Sequence, residues 1–194
     1  MPLLTTQSAK GFGFSGLVAA LDSDFELIEL KTLTSSAAFI EFTSIPSTYK
    51  HLHIRGIARS DRNGSADDLL MTMNGSTSYS NRRLNNDSST IYAEGGNQTN
   101  IRLCRNNLPN DSINNSGFFL SFVIDILDYA NTTTLKTAKI YSGLDTNSSS
   151  GNGNLYAGGM NLANTNAITS IKIFEETTAN LVAKSSIGLY GIKG

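Results

Sequence analysis

Little in this chain ties it together covalently or anchors it to something charged. It has one cysteine, three prolines, no tryptophan and only 16% charged residues. Cys104 on its own excludes an internal disulfide and a cysteine-built metal cluster. Its setting, Ile101-Arg102-Leu103-Cys104-Arg105, reads as a strand, so Cys104 is expected to be a small buried hydrophobe. The formal net charge is -1, with no basic stripe, which argues against a nucleic-acid partner. Arg82-Arg83 and the Arg102/Arg105 pair read as isolated, solvated loop positions. No apolar run is long enough to span a bilayer as a helix, so membrane insertion is not expected. The first residues carry one lysine and no apolar h-region, so no secretory signal is predicted. Triplets such as Asn63-Gly64-Ser65 and Asn131-Thr132-Thr133 are chance products of an Asn/Ser/Thr-rich chain.

What takes the place of charge is asparagine, serine, threonine and glycine. Asparagine is absent before Asn63 and then occurs 20 times. These residues favour turns and loops and make poor helices, so short strands joined by polar turns are expected. At 194 residues and 20.8 kDa the chain suits one domain, or a domain plus an arm. A globule of that size buries roughly 70% of its unfolded surface, enough for a core without disulfides or metal.

Residues 1–24 differ from the rest of the chain. They hold no convincing strand, and Gly11, Gly13 and Gly16 make them pliable. The same three glycines fit G-x-G-x-x-G. A dinucleotide fingerprint, however, needs a strand before it and a helix after it in a parallel unit. Only ten residues precede Gly11 and the remainder reads antiparallel. No cofactor is therefore expected. Residues 1–24 are read as a docking arm, with Gln7, Lys10, Gly11, Phe12, Gly13 and Phe14 as its candidate assembly contacts. Two phenyl rings bury large apolar area, and bare glycines allow close backbone approach.

From Phe25 strands dominate. "FELIELKTL" (25–33) alternates imperfectly. "AAFIEFTSI" (37–45) puts Phe39 and Glu41 on one face, Ile40 and Phe42 on the other. "YKHLHIRGIA" (49–58) sets Leu52, Ile54 and Gly56 against His51, His53 and Arg55, a strand with one buried face. "DDLLMTMNGSTSYS" (67–80) reads strand, Asn74-Gly75 type I′ turn, strand: a tight hairpin. Asn63-Gly64 offers a second turn. The segment 81–116 is polar and loop-rich, with "STIYAE" and "TNIRLCR" as its strands. "GFFLSFVIDILDY" (117–129) is the most apolar run, rich in β-branched and aromatic residues, and predicts a central strand buried on both faces. "TLKTAKIYSGL" comes next as its antiparallel neighbour. "NLYAGGMNL", "AITSIKIFEE" and "LVAKSSIGLYGIKG" complete about ten strands. The expected fold is an all-β antiparallel β-sandwich, jelly-roll-like, over 25–194 with an extended N-terminal arm. No internal repeat suggests a solenoid or propeller.

Candidate chemistries are sparse. His51 and His53 share a face and offer two ligand positions, short of the four a structural metal site needs. They are expected to face solvent or a partner, and no metal is predicted. No Gly-x-Ser-x-Gly elbow occurs. Asp67-Asp68 and Glu175-Glu176 are sequence neighbours, so within a strand each pair points to opposite faces and makes no glycosidase dyad. Asp125 and Asp128 sit in the apolar run and are expected to be held by hydrogen bonds near the strand end. Tyr49, Tyr79, Tyr92, Tyr129, Tyr141, Tyr156 and Tyr190 divide between core and sugar-platform roles.

Four blocks carry a resemblance: "LLTTQSAKGFGFSGL", "IEFTSIPSTYKHLHIRGIAR", "IDILDYANTTTLKT" and the terminal "LYGIKG". Together, over most of 3–59 and 123–194, the chain resembles virion structural proteins of tailed bacteriophages, especially of aquatic hosts. The segment 60–116 shows no matching pattern. The resemblance implies a non-enzymatic virion component, assembled in the host cytoplasm, such as a head or tail fibre or a capsid decoration protein. Its partners would be other virion proteins and its own copies, a trimer favoured, which would also bring His51 and His53 of several chains together. A host-surface glycan read by loops in 60–116 or 144–166 is the alternative. The resemblance assigns no catalytic or binding residue.

Overall fold

The computed structural model describes residues 24–63, 67–87, 90–105, 108–110, 117–145 and 153–194. The proposed arm contacts Gln7, Lys10, Gly11, Phe12, Gly13 and Phe14, the glycine pattern and Gly64 of the second predicted turn lie outside the described residues. The described chain is all β. Its strands are β1 (Phe25–Thr32), β2 (Phe39–Phe42), β3 (His51–Ala58), β4 (Leu69–Met73), β5 (Tyr79–Asp87), β6 (Thr90–Gln98), β7 (Ile101–Arg102), β8 (Leu120–Leu127), β9 (Lys136–Asp145), β10 (Gly153–Leu162), β11 (Ile171–Glu175) and β12 (Ser186–Ile192).

They form two sheets, an eight-stranded one in the order β1-β12-β3-β8-β9-β10-β5-β6 and a four-stranded one in the order β2-β11-β4-β7. Every neighbouring pair is antiparallel. Each strand of the small sheet is a single excursion between two strands of the large one, so every visit ties the layers together covalently. The expected antiparallel sandwich is the fold, with its strands divided unequally.

The core follows from two-residue alternation. Leu52, Ile54 and Ala58 of β3, Leu120, Phe122, Ile124 and Ile126 of β8, and Ala138 and Ile140 of β9 point inward and are buried. Ile40 and Phe42 of β2, Met71 and Met73 of β4, and Ile171 and Ile173 of β11 meet them from the small sheet. Cys104 is buried among them, as expected. Gly56 continues the inward series of β3 because a Cβ there would collide with the Phe122 ring.

Three expectations need correction. Asn74 and Gly75 do adopt left-handed φ values of 51° and 63°, and Ser76 N–H closes the turn on the Met73 carbonyl at 3.0 Å. The turn does not make a hairpin. β4 belongs to the small sheet and β5 to the large one, so the turn is a corner between layers. Asn74 also fastens the corner to the loop before β11. Its Oδ1 accepts from Thr169 N at 2.8 Å and Ser170 N at 3.1 Å, and its Nδ2 donates to the Ala167 carbonyl at 2.8 Å. Replacing Asn74 by Ala is expected to cost about 1–2 kcal/mol in chemical denaturation, and by Gly about half that, because glycine keeps the left-handed backbone and loses only the anchors.

The polar stretch after residue 80 is a nine-residue strand, not a loop. After Tyr79 its inward residues are Asn81, Arg83 and Asn85, so no apolar alternation announces it. The arginines are not solvated loop positions either. Arg83 pairs with Glu94 across β5–β6 at 2.6 Å, and Arg105 reaches the same carboxylate. Arg102 binds Asp68 at 2.6 Å and Glu176 at 3.1 Å. The third correction concerns β8. It is central, fourth in the eight-stranded order, but only one face is buried; Val123 and Asp125 on the other are half-buried, and Leu127 is exposed. The small sheet covers one side of β8, and among the described residues no layer covers the other.

Candidate functional site

That uncovered side is the outer face of the eight-stranded sheet. The strand register sorts its residues into rows that cross the strands. One row runs Tyr190–His53–Asp125–Lys139–Gly159–Arg82 and is polar. The next runs Arg55–Val123–Tyr141–Ala157–Leu84–Ala93 and is mostly apolar. Beyond it lie Ile57, Ser121, Gly143 and Leu155. Ile91 on β6 extends the apolar surface, paired with Asn86 next to the Leu84–Ala93 step.

These side chains are open to solvent: Leu155 is 64% exposed, Tyr141 and Leu84 each 54%, and Ile57 41%. The surface is dimpled. A depression of about 640 Å³ is lined by Arg55, Ile57, Val123, Tyr141, Gly143 and Leu155 among others. A second, of about 450 Å³, is lined by Arg82, Leu84, Ala93, Lys139, Tyr141 and Gly159 among others. Tyr141 borders both. Small residues set the floor: a Cβ built on Gly159 meets nothing within 4 Å.

At the β1 edge of the face the rings gather. Phe25 stacks on Tyr190 with centroids 4.8 Å apart and meets His53 edge-on at 5.1 Å. His53 Nδ1 lies 2.5 Å from Asp125 Oδ1. His51 Nδ1 accepts the Asp128 N–H at 3.0 Å. Both histidines thus spend one ring nitrogen inside the chain, and both belong to the outer face as the alternation predicts. Among the described residues, no three His, Cys, Asp or Glu side chains gather as a metal would require. Asp128 is held by Lys50 at 2.8 Å. Hydrogen bonding to Lys50 keeps its carboxyl below the usual range. Tyr79, Tyr129 and Tyr156 are core residues, whereas Tyr92 and Tyr141 are exposed.

A different carboxylate meeting lies at the end of the small sheet. Asp67, just before β4, and Glu175, the last residue of β11, are each 2% exposed. The Ser60 hydroxyl and Arg62 Nη1 donate to Asp67, the latter at 3.1 Å. Glu175 Oε2 accepts from Thr177 Oγ1 at 2.8 Å and Ala179 N at 3.1 Å. Burial and the neighbouring Glu175 push Asp67 up to about 7, against the pull of Ser60 and Arg62. Burial works on Glu175 too, but the hydrogen bonds from Asp67, Thr177 and Ala179 outweigh it and leave its carboxyl below the usual range. Of the two, Asp67 is the carboxyl that holds its proton more tightly. The sequence pairs 67/68 and 175/176 hid this, because each contributes one member to a contact made only by β4–β11 pairing. Both side chains are enclosed.

No family model matches the sequence, and no curated protein matches it. Among solved structures, the chain is similar to the galectin LEC-6 of Caenorhabditis elegans, with 9% identity, a TM-score of 0.38, and coverage of 82% of this chain and 94% of that one.

Proposed function

We propose that the chain is a non-enzymatic structural component of a tailed-phage virion, a fibre or shell decoration protein. Residues 1–24 attach it to a neighbouring virion protein, and it works as a symmetric oligomer, a trimer. The observation that carries the binding role is the open apolar face around Tyr141, Leu155, Leu84 and Ile57. A contiguous exposed apolar surface of several hundred Å² marks an interaction site on a soluble domain. Its composition suits protein contact: aliphatic side chains dominate, with Arg55, Lys139 and Arg82 at the margins. The virion assignment draws on the four resembling blocks: one contains β3, one runs from β8 into β9, one ends β12, and 3–17 lies outside the described residues.

A second reading, recognition of a host-surface glycan, is favoured by one feature. Tyr141 stands half-exposed between two depressions, with Arg55, Lys139 and Arg82 within the same linings. A ring face with charged hydrogen-bond donors beside it suits a sugar.

The test uses particles. Peptide mass spectrometry on gradient-purified virions is expected to find the chain at stoichiometric level. Deletion of residues 1–20 is expected to remove it from the particle while leaving it folded in the lysate. Finding the chain only among the soluble proteins of infected cells would overturn the reading. Binding to a glycan array that is abolished by Tyr141→Ala would instead establish the second.

A further inference from the structure

We infer that the outer face of the eight-stranded sheet is the receptor for residues 1–23 of a second copy of this chain. The inference deepens the preceding reading, since it takes the arm to be a docking element and names what it docks on.

Three observations lead there. First, the outer side of the eight-stranded sheet carries an open apolar surface around Tyr141, Leu155, Leu84 and Ile57, and among the described residues no layer covers it. Second, the chain upstream of the described residues is available and suited to be that layer. It is 23 residues long and contains Phe12, Phe14, Leu17, Val18 and Leu21, with Gly11, Gly13 and Gly16 leaving the backbone bare between them. Fully extended, such a segment reaches roughly 75 Å. Eight strands at about 4.8 Å spacing are only about 34 Å across. An i, i+2 pair such as Phe12 and Phe14 places both rings on one side when extended, about 7 Å apart, so both can press on the dimpled surface either side of Tyr141.

Third, the direction of entry selects another copy. Phe25, the first strand residue, already lies on the outer face against Tyr190. It pairs with Ile192, and Ile192 with His51, which puts it at one end of the rows. β1 then runs toward the rows that hold Arg55, Tyr141 and Leu155. The direction from which the chain enters Phe25 therefore points off the opposite end of the sheet, away from its own depressions. A segment continuing that line meets a neighbour; to reach its own face it would have to double back. An exchange of arms repeated around an axis also closes a symmetric ring.

The test uses full-length chains throughout. An arm variant carries Phe12→Ser and Phe14→Ser; a face variant carries Gly159→Glu and Leu155→Arg. Gly159 faces open space, so its substitution fills the depression without disturbing the core. By analytical ultracentrifugation, the wild type is expected to self-associate at micromolar concentration and each variant alone to stay monomeric. A mixture of the two variants is expected to associate, because one supplies the arm and the other the face. A labelled peptide of residues 3–22 gives an independent readout on the arm variant. It should bind saturably, and weaken by roughly tenfold or more when its own Phe12 and Phe14 are serine, as loss of two buried rings requires. A mixture that stays monomeric overturns the inference, as does a face variant that associates like the wild type. A wild type that is monomeric while the peptide binds the arm variant places the arm on its own chain and also overturns it. Absence of the protein from virions would sink the preceding reading and leave these measurements unchanged.

Discussion

Replacing Lys136 by Met lowers the unfolding free energy by about 3 kcal/mol, the largest effect expected from a single polar side chain here. Lys136 opens β9 at an inward position, in series with Ala138, Ile140 and Ser142, and is fully buried. Among the described residues its ammonium is within salt-bridge distance of no carboxylate. It donates to the Thr134 carbonyl at 2.8 Å, the Thr165 carbonyl at 3.0 Å and the carbonyl of Asn131. One side chain thereby joins the β8–β9 turn to the loop that leaves β10. Burial lowers its pKa, and the nearby Asp128 partly offsets that. Methionine matches the length of the stem but leaves three partly buried carbonyls without this donor. Partial re-hydration limits the loss to a fraction of the full desolvation cost. Urea unfolding at neutral pH checks it: a midpoint shift with unchanged slope is expected, and a change under about 0.5 kcal/mol, the scale of an ordinary surface substitution, would show that the carbonyls had found water.

The second large effect is a dependence on pH with an unusual sign. Asp67 titrates near 3.8 when unfolded and is pushed up to about 7 in the fold. Between those values the folded chain holds a proton that the unfolded chain has released. Stability therefore falls as pH rises from about 4 to about 7 and is level above. Glu175 acts oppositely: its carboxyl is lowered, so its contribution is present above its ordinary value of 4.5 and lost as pH falls below it. Together they place maximum stability at about pH 4. Asp67→Asn removes the first slope, since an amide can still donate toward Glu175 and accept from Ser60 without ionising. At pH 8 this variant is expected to be more stable than the wild type by about 2 kcal/mol, and near pH 5 no more stable. Thermal melts across pH 4.5–8.5 decide it. A wild-type midpoint that is flat over that range would show that the fold does not hold a proton on Asp67.

Much of the local structure is readable from residues alone. The alternation of Leu52 and Ile54 against His51 and His53 defines β3 and both its faces. Ile168, Ile171 and Ile173 mark β11 and its approach, and Asn74-Gly75 specifies its own left-handed dihedrals. The signal failed where inward positions are polar. Asn81 and Asn85 hide β5, whose place depends on hydrogen-bonding to β10 and β6 on either side. It failed again where partners lie far apart in the chain: nothing near Asp67 announces Glu175, and nothing near Arg83 or Arg105 announces that both meet Glu94.

The division has a physical cause. Periodicity and turn chemistry act over a few residues, so the sequence by itself settled that this is an antiparallel all-β chain, where most strands run and which side of each is apolar. It could not settle which sheet a strand joins after a turn, because a corner and a hairpin use the same two residues at Asn74-Gly75. Layer membership is decided by what the next strand can pair with and bury. Only the tertiary arrangement, eight strands against four, decides that the outer side of β8 is left open and that Tyr141 sits between two depressions there.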